Sequence, residues 1–299
     1  MKRLILTTLT AAILGASAAA SADDLSIGFA DPLSSLDPQL NNHAGDRSVD
    51  LHFWDLLVEN KWNKLQPGLA VSWKPLDSTT WEFKLREGVK WQDGVPFTAD
   101  DLIYSYTRAR AVPGSVATFA GYLRTIESMS AKDPLTLIVK TRAPNPDLPL
   151  NLASVHIVSK HVGEKSTTED YNSGKAMIGT GPYTLKSYVK GTAIELARND
   201  AYWGDKPAWA NVKMVPVPAA GPRLTGLLAG DFDLIENPAA RDVKRISETP
   251  GFGHVITPSV RVVYFQPDVA RNPSPGVKAA DGKNPLQDVR VRRAISMAI

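Results

Sequence analysis

Between residues 81 and 101 the chain reads WEFKLREGVKWQDGVPFTADD, and its apolar positions change period along the way. Trp81, Phe83 and Leu85 alternate with Glu82, Lys84 and Arg86, the spacing of a strand with one buried face. Gly88 interrupts that run, Val89 and Trp91 form a shorter apolar piece at strand positions suited to a core, and Asp93-Gly94 supplies a turn. Thr98 stands three residues before Asp101 and just ahead of Leu102, Ile103 and Tyr106. That is an N-cap, with Asp101 a shorter stand-in for the usual capping-box Glu, and it predicts a helix start. Further strands are predicted over 25–29, 135–141, 183–188, 192–197 and 212–217, after the turn at 231–233, and over 260–266. From Asp46 onward, Val49, Phe53, Leu56 and Leu57 fall at helical spacing. A short helix from Arg223 through Leu224, Leu227 and Leu228 is closed by Gly230. Asn284-Pro285 opens a last helix carrying Val289, Arg292, Arg293, Ile295 and Ala298. Prolines and serines in 31–38, and Pro144, Pro146 and Pro149, exclude long regular elements there.

The amino terminus departs from this pattern. Lys2 and Arg3 precede an apolar run over 4–14, and small residues end at Ala20-Ser21-Ala22. This is the layout of a secretory signal peptide, with cleavage expected after Ala22. The run is too short to cross a bilayer, and no later stretch is long and apolar enough to do so. The chain has no cysteine, so neither a disulfide nor a thioether-linked lipid can form. An exported, soluble, periplasmic protein is expected. Composition adds little: 299 residues suggest two domains, and 43% hydrophobic with 22% charged residues is ordinary for a globular chain. The net charge of +3 comes from 34 basic and 31 acidic residues without long runs, and gives no case for a nucleic-acid partner.

Catalytic and metal chemistry leave no local signature. The chain has no G-x-S-x-G elbow, no H-E-x-x-H and no P-loop. His156 and His161 are five apart, which does not put them on one helical face, and His43 and His52 stand alone. Gly179-Thr180-Gly181-Pro182-Tyr183 lacks the third glycine of a dinucleotide fingerprint, and Pro182 has no N–H for a phosphate. No enzyme activity, cofactor or metal is predicted. A secreted hydrolase acting on peptide or glycan is the rival reading.

The 81–101 segment as a whole resembles the segment shared by periplasmic solute-binding proteins of the peptide/nickel type, the receptors of ABC importers. Gln92 departs from it, since many members have His there. Leu36-Asp37-Pro38, residues 65–73, the Gly179–Tyr183 passage, Arg198-Asn199 with Tyr202-Trp203, and residues 230–235 are similar to the same family. The resemblance implies an α/β periplasmic-binding-protein-like fold of two lobes with an additional N-terminal subdomain. Carried onto this chain, the signal peptide is 1–22, the first-lobe core 23–45 plus 178–258, and the subdomain 46–177. A hinge strand and the start of a second lobe would occupy 259–299, and the chain is expected to be a truncated member that binds ligand weakly or not at all. A peptide-like ligand, a membrane permease and a monomeric state are implied; nickel chelates, haem and oligosaccharides are alternative ligands within the family. The resemblance places the loop after residue 30 at the cleft mouth, making Asn41, Asn42 and Asp46 polar site candidates. Phe119 and Tyr122 fall near family positions that carry aromatic side chains facing the ligand; Ser154 and His156, in the apolar-to-polar passage after Leu152, are further candidates from the residues alone. Each also reads as an ordinary loop or packing residue.

Overall fold

The computed structural model describes residues 24–62, 64–257 and 264–299. In chain order the described residues form β1 (Asp24–Phe29), α1 (Ala44–Asp50), β2 (Val58–Lys61), β3 (Lys64–Pro67), β4 (Ala70–Pro75) and β5 (Thr80–Leu85). Then come α2 (Ala99–Arg108), α3 (Ala120–Leu123), β6 (Ile126–Asp133), β7 (Thr136–Thr141), α4 (Leu148–Leu152), α5 (Lys160–Gly163) and α6 (Thr168–Asn172). The remainder are β8 (Tyr183–Val189), β9 (Ala193–Arg198), β10 (Asn211–Pro216), α7 (Ala220–Ala229), β11 (Leu234–Ile235), α8 (Val243–Glu248) and α9 (Val289–Ala298). The chain divides into two compact units, 1–245 and 246–299.

The first unit holds two principal sheets. One has the order β11-β1-β10-β9-β8, with β1 parallel to both β10 and β11 and the remaining pairs antiparallel. Register places Leu25 beside Val212, Ile27 beside Met214, Val212 beside Leu196 and Met214 beside Ile194. Because side chains alternate, these residues share one face, and that face is apolar and mostly buried. The opposite face carries Ser26, Lys213 and Glu195, except where Gly28 lets Phe232 lie against the strand: a Cβ on Gly28 would sit 2.9 Å from the Phe232 ring. The other sheet, β4-β5-β7-β6, is wholly antiparallel. Both sheets feed one continuous core that includes Phe29, Trp54, Phe83, Trp91, Tyr106, Leu137 and Leu196.

The predicted helix start is present. Thr98 is extended (φ −141°), its N–H donates to the Asp101 carboxylate at 2.9 Å, and α2 follows. Gly230 closes α7 with φ +84°, where a side chain would be strained. Three expectations change. The helical spacing from Asp46 ends at Asp50; Phe53 lies in a turn, and Leu56 bridges to His156. Those apolar residues are core residues of irregular backbone, which spacing alone cannot separate from helix. Trp81 is only half-buried, while its neighbour Glu82 is buried and lies 3.6 Å from both Lys74 and Lys132. Trp91 is buried in a loop before the Asp93-Gly94 turn, not in a strand. The strand predicted over 260–266 falls mainly outside the described residues, and 264–266 are irregular.

The second unit contains the described residues from Ile246 onward. Asn284 organises it: its side chain donates to the carbonyls of Asp268 and Arg271 at 2.7 Å each and accepts from the Leu286 N–H at 3.0 Å. Asp288 caps α9 by accepting from the Arg290 N–H at 2.8 Å, and α9 has no buried residue.

A candidate ligand-binding rim

In parallel α/β sheets, loops leaving the carboxyl ends of the strands form the usual crevice for ligands. Here the loop over 30–43 leaves the carboxyl end of β1 and runs into α1. Its serines and prolines rule out regular structure, so its polar groups are satisfied by side chains. Asp37 receives a bidentate pair from Arg108, at 2.9 and 2.6 Å, and a hydroxyl bond from Thr168 at 2.7 Å. Gln39, fully buried, donates to the carbonyls of Ser105 and His156 at 3.2 and 2.8 Å. The loop is therefore pinned from beneath by α2 and α6.

Its far end meets the loop before α3. Asn41 and Ala117 form a parallel bridge, the Asn42 N–H donates to the Ala117 carbonyl at 2.8 Å, and the Val116 N–H donates to Asn41 Oδ1 at 3.1 Å. Asn41 Nδ2 donates to Ser34 Oγ at 3.2 Å, and Ser34 gives both its N–H (2.8 Å) and its hydroxyl to the Asp46 carboxylate. Outward from this frame, Asn42 Nδ2 donates to Tyr122 Oη at 3.3 Å and Arg47 Nη1 reaches Asn42 Oδ1 at 3.5 Å.

The seven candidate residues thus separate by role. Asn42 and Tyr122 are half-buried and bonded to each other through their side chains. Asn41 and Asp46 are buried and already bonded, so they hold the rim's shape. Phe119 is fully buried; in place of the expected lining role it packs beneath Tyr122, ring centroids 6.5 Å apart. His156 is fully buried too, and its ring faces Asp50 (Nδ1 to Oδ2 3.9 Å) rather than a cleft. Ser154 is half-buried in the turn after α4, its N–H bonded to the Asn151 carbonyl at 3.2 Å, with no contact to the rim residues. Burial explains the two aromatic-ring cases: an apolar or weakly polar ring gains more from the core than from water. Arg47 was not among the candidates. Its position one residue after Asp46, on a helix leaving a polar loop, was the only signal available.

Below the rim lies an unusual polar layer. Neither oxygen of Asp50 and neither ring nitrogen of His156 has a hydrogen-bond partner among the described residues. Burial, reinforced by Asp46 and Asp37, holds the Asp50 carboxyl well above the usual carboxylate range. Burial, then the nearby Arg47 charge, pushes the His156 imidazole down to about 3. The imidazole is therefore neutral at pH 7, and burial disfavours the charged form of Asp50.

The two landmark passages serve a different end. Gly179 and Gly181 pack against the backbone of residues 52–54, where a Cβ on Gly179 would lie 1.8 Å from the Phe53 carbonyl oxygen. Gln92 fastens them: its Nε2 donates to the Tyr183 carbonyl at 2.8 Å and its Oε1 accepts from the Gly179 N–H at 3.2 Å. A neutral histidine offers one donor and one acceptor as well, which is why the change from the commoner residue leaves the scaffold intact. Asp55 accepts from Tyr202 Oη at 3.1 Å and Trp203 Nε1 at 2.8 Å.

Comparison with known proteins now places the chain. Residues 64–299 match the model for bacterial extracellular solute-binding proteins, family 5. The chain belongs to this family. Among curated relatives, the periplasmic murein peptide-binding protein MppA of Escherichia coli K12 is 29% identical over 83% of the chain and 47% of its own length. The dipeptide-binding protein of the same strain is 29% identical over 82% of the chain and 48% of its own length. The E. coli MppA structure superposes with a TM-score of 0.70 at 27% identity, covering 78% of this chain and 49% of that one. The Burkholderia pseudomallei OppA structure gives 0.68 at 25%, over 77% and 49%. The chain thus shares their mixed α/β fold and spans about half the length of the relatives it matches.

Family 5 proteins bind solutes and are not enzymes, and one arrangement in this chain bears on that. Ser159 Oγ lies 2.7 Å from His161 Nδ1, and His161 Nε2 lies 2.6 Å from Asp93 Oδ2. The order of groups is that of a hydrolase triad. But Ser159 is 2% exposed and its Oγ accepts from the Val162 N–H as the cap of α5. A nucleophile needs an open path to a carbonyl carbon, and this hydroxyl has none. Among the described residues there is no cluster of three metal-ligating side chains and no helix long and apolar enough to cross a membrane.

Proposed function

We propose that this chain is the capturing part of an extracytoplasmic receptor that takes up peptide-like solutes and passes them to an ABC-importer permease. The single observation that carries the reading is the rim. Asn42, on a loop leaving the carboxyl end of β1, is half-buried and bonded to the half-buried Tyr122, while Asn41, Asp46, Asp37 and Gln39 hold that loop rigid. Preorganised polar groups of this kind suit a ligand whose backbone carries its own donors and acceptors. Membership of family 5, and relatives named for murein peptides, oligopeptides and dipeptides, favour peptide over nickel chelate, haem or oligosaccharide.

The residue assignments follow from that reading. Asn42 and Tyr122 touch ligand, with Asn41, Asp46 and Phe119 supporting them; Ser154 and His156 are left without a ligand role. Export by a signal peptide cleaved after Ala22 fits relatives named as periplasmic. Within the chain, 23–45 with 178–258 make a lobe core and 46–177 a subdomain inserted into it. The strand order supports this division, because β8, β9 and β10 join β1 across the intervening segment.

The test is native mass spectrometry of the purified chain after incubation with a mixture of di- to pentapeptides. Retention of intact peptide is expected. Absence of retention at millimolar peptide, or recovery of cleaved products, would overturn the reading, and cleavage would revive the hydrolase.

A further inference from the structure

Arg47 stands out because no acid forms an ion pair with it among the described residues, although its charge acts at longer range on Asp50 and His156. It is half-buried, and the one hydrogen bond of its side chain among the described residues is the long contact to Asn42 Oδ1 at 3.5 Å. It makes no ion pair among those residues, although α1 carries two acids beside it. Asp46 is occupied by the Ser34 N–H and hydroxyl, and it also lies 3.8 Å from His43 Nδ1. Asp50 is fully buried, has no hydrogen-bond partner and makes no ion pair with Arg47 among the described residues. A partly desolvated guanidinium without a counter-charge costs free energy unless something supplies one.

The surroundings say what would supply it. On the other side of Asn42, Tyr122 Oη accepts from Asn42 Nδ2, so its own proton is free to donate. One amide side chain therefore separates two donors, a guanidinium and a phenol. The main chain of Asn42 is fixed to Ala117 by a hydrogen bond of 2.8 Å, which holds the amide between them in place. Val116, next to Ala117, is 84% exposed and adds an apolar contact beside them. Beside Asn42 and Arg47, Asp46 is buried and used, and Asp31, exposed at the start of the loop, makes no ion pair with Arg47 among the described residues. Resting on the reading of this rim as a ligand site, we propose that Arg47, with Tyr122, selects ligands that present a carboxylate to the rim. A single fixed cation and one hydroxyl match a group of charge −1 that accepts along two directions. Such a carboxylate is either the carboxyl terminus of a peptide or an acidic side chain.

Ligand-observed NMR on the 299-residue protein would use three tripeptides at about 10 mM, a concentration that detects even millimolar affinity. Ala-Gln-Ala-amide has no carboxylate, Ala-Gln-Ala has only the terminal one, and Ala-Glu-Ala-amide has only the side-chain one. At least one carboxylate peptide should bind about fivefold or more tightly than Ala-Gln-Ala-amide, an increment typical of a partly exposed charge-assisted bond. The peptide that gains identifies the source of the carboxylate. Arg47→Met should abolish the preference and Arg47→Lys should keep part of it, with thermal melts confirming that both variants fold. Equal binding of all three peptides, or a preference that survives in Arg47→Met, would overturn the proposal. Titration of sodium acetate, followed at the Arg47 Nε–H resonance, separates this from the wider reading. A response at Arg47 without peptide binding keeps the anion site and removes the peptide receptor. Peptide binding without a response keeps the receptor and removes the anion site; silence in both removes both.

Discussion

Asp46 and Asp50 sit one turn apart on α1, both essentially buried, and the protein treats them in opposite ways. Asp46 accepts from the Ser34 N–H at 2.8 Å and from the Ser34 hydroxyl, and so ties the loop after β1 to the helix. Asp50 has no hydrogen-bond partner among the described residues, faces His156 at 3.9 Å, and burial raises its pKa well above the usual carboxylate range. The difference teaches that burial by itself does not set the state of a carboxyl group. What matters is whether the fold delivers donors to it. The helix therefore has an upper end that builds the rim and a lower end that stores unsatisfied polarity in the core.

The largest effect should come from breaking the satisfied side. Asp46→Ala leaves Ser34 and Asn41 without their anchor, and a loss of about 3 kcal/mol is expected from two hydrogen bonds to a charged group. Denaturant unfolding measures it, and a loss under about 1 kcal/mol would show that the loop is held by Asp37 and Gln39 alone.

His156 gives the next effect, through pH. Its folded pKa of about 3 lies below the ordinary value of 6.5, so the unfolded chain binds the extra proton first as the solution becomes acid. Stability from this group is intact above the ordinary value and is lost as pH falls from there toward about 3. Near pH 5 the loss amounts to about 2 kcal/mol. His156→Gln should flatten that part of the stability profile; an unchanged acid slope would contradict the neutral, buried imidazole.

Asp50 works in the other direction and more weakly. Its folded pKa is raised, so its neutral form is costless below the unfolded value and costs stability as pH rises toward the folded one. Asp50→Asn should therefore gain stability over the parent near pH 8, by about 1–2 kcal/mol. The gain should shrink as pH is lowered to near 4. A variant less stable at both pH values would show that Asp50 is ionised and compensated in the fold.

How much of this could be read beforehand follows the same division. Period-two and capping signals fix backbone conformation locally, so β5 and the Thr98-capped α2 were legible in 81–101. The passages around Gly179 and Arg198 were legible as text, but their purpose was not. Gly181 is required because the Phe53 backbone, far earlier in the sequence, packs directly against it, a proximity that no spacing rule expresses. The irregular stretch from Leu51 to Leu57 shares helical spacing with α1 because core-facing turns also recur every three or four residues. At the rim, residue type singled out Asn42 and Tyr122, and the structure places both half-buried and hydrogen-bonded to each other. Burial of Phe119 and His156 was invisible, since an aromatic ring beside a loop looks the same in sequence whether it faces ligand or core.

The smallest predicted effect concerns the scaffold alone. Gln92→Ala removes bonds to Tyr183 and Gly179 far from the rim, and should cost about 1–2 kcal/mol while leaving ligand affinity unchanged. A change in affinity would mean that the Gly179–Tyr183 passage communicates with the rim.

The central claim is that solute meets this chain at the rim above α1. Amide and side-chain NMR of the isotopically labelled protein, titrated with a peptide that native mass spectrometry has shown to be retained, tests it most directly. The account predicts shifts concentrated at Asn42, Arg47, Val116 and Tyr122. Shifts confined to the polar face of the first sheet, around Ser26, Glu195 and Lys213, would contradict it.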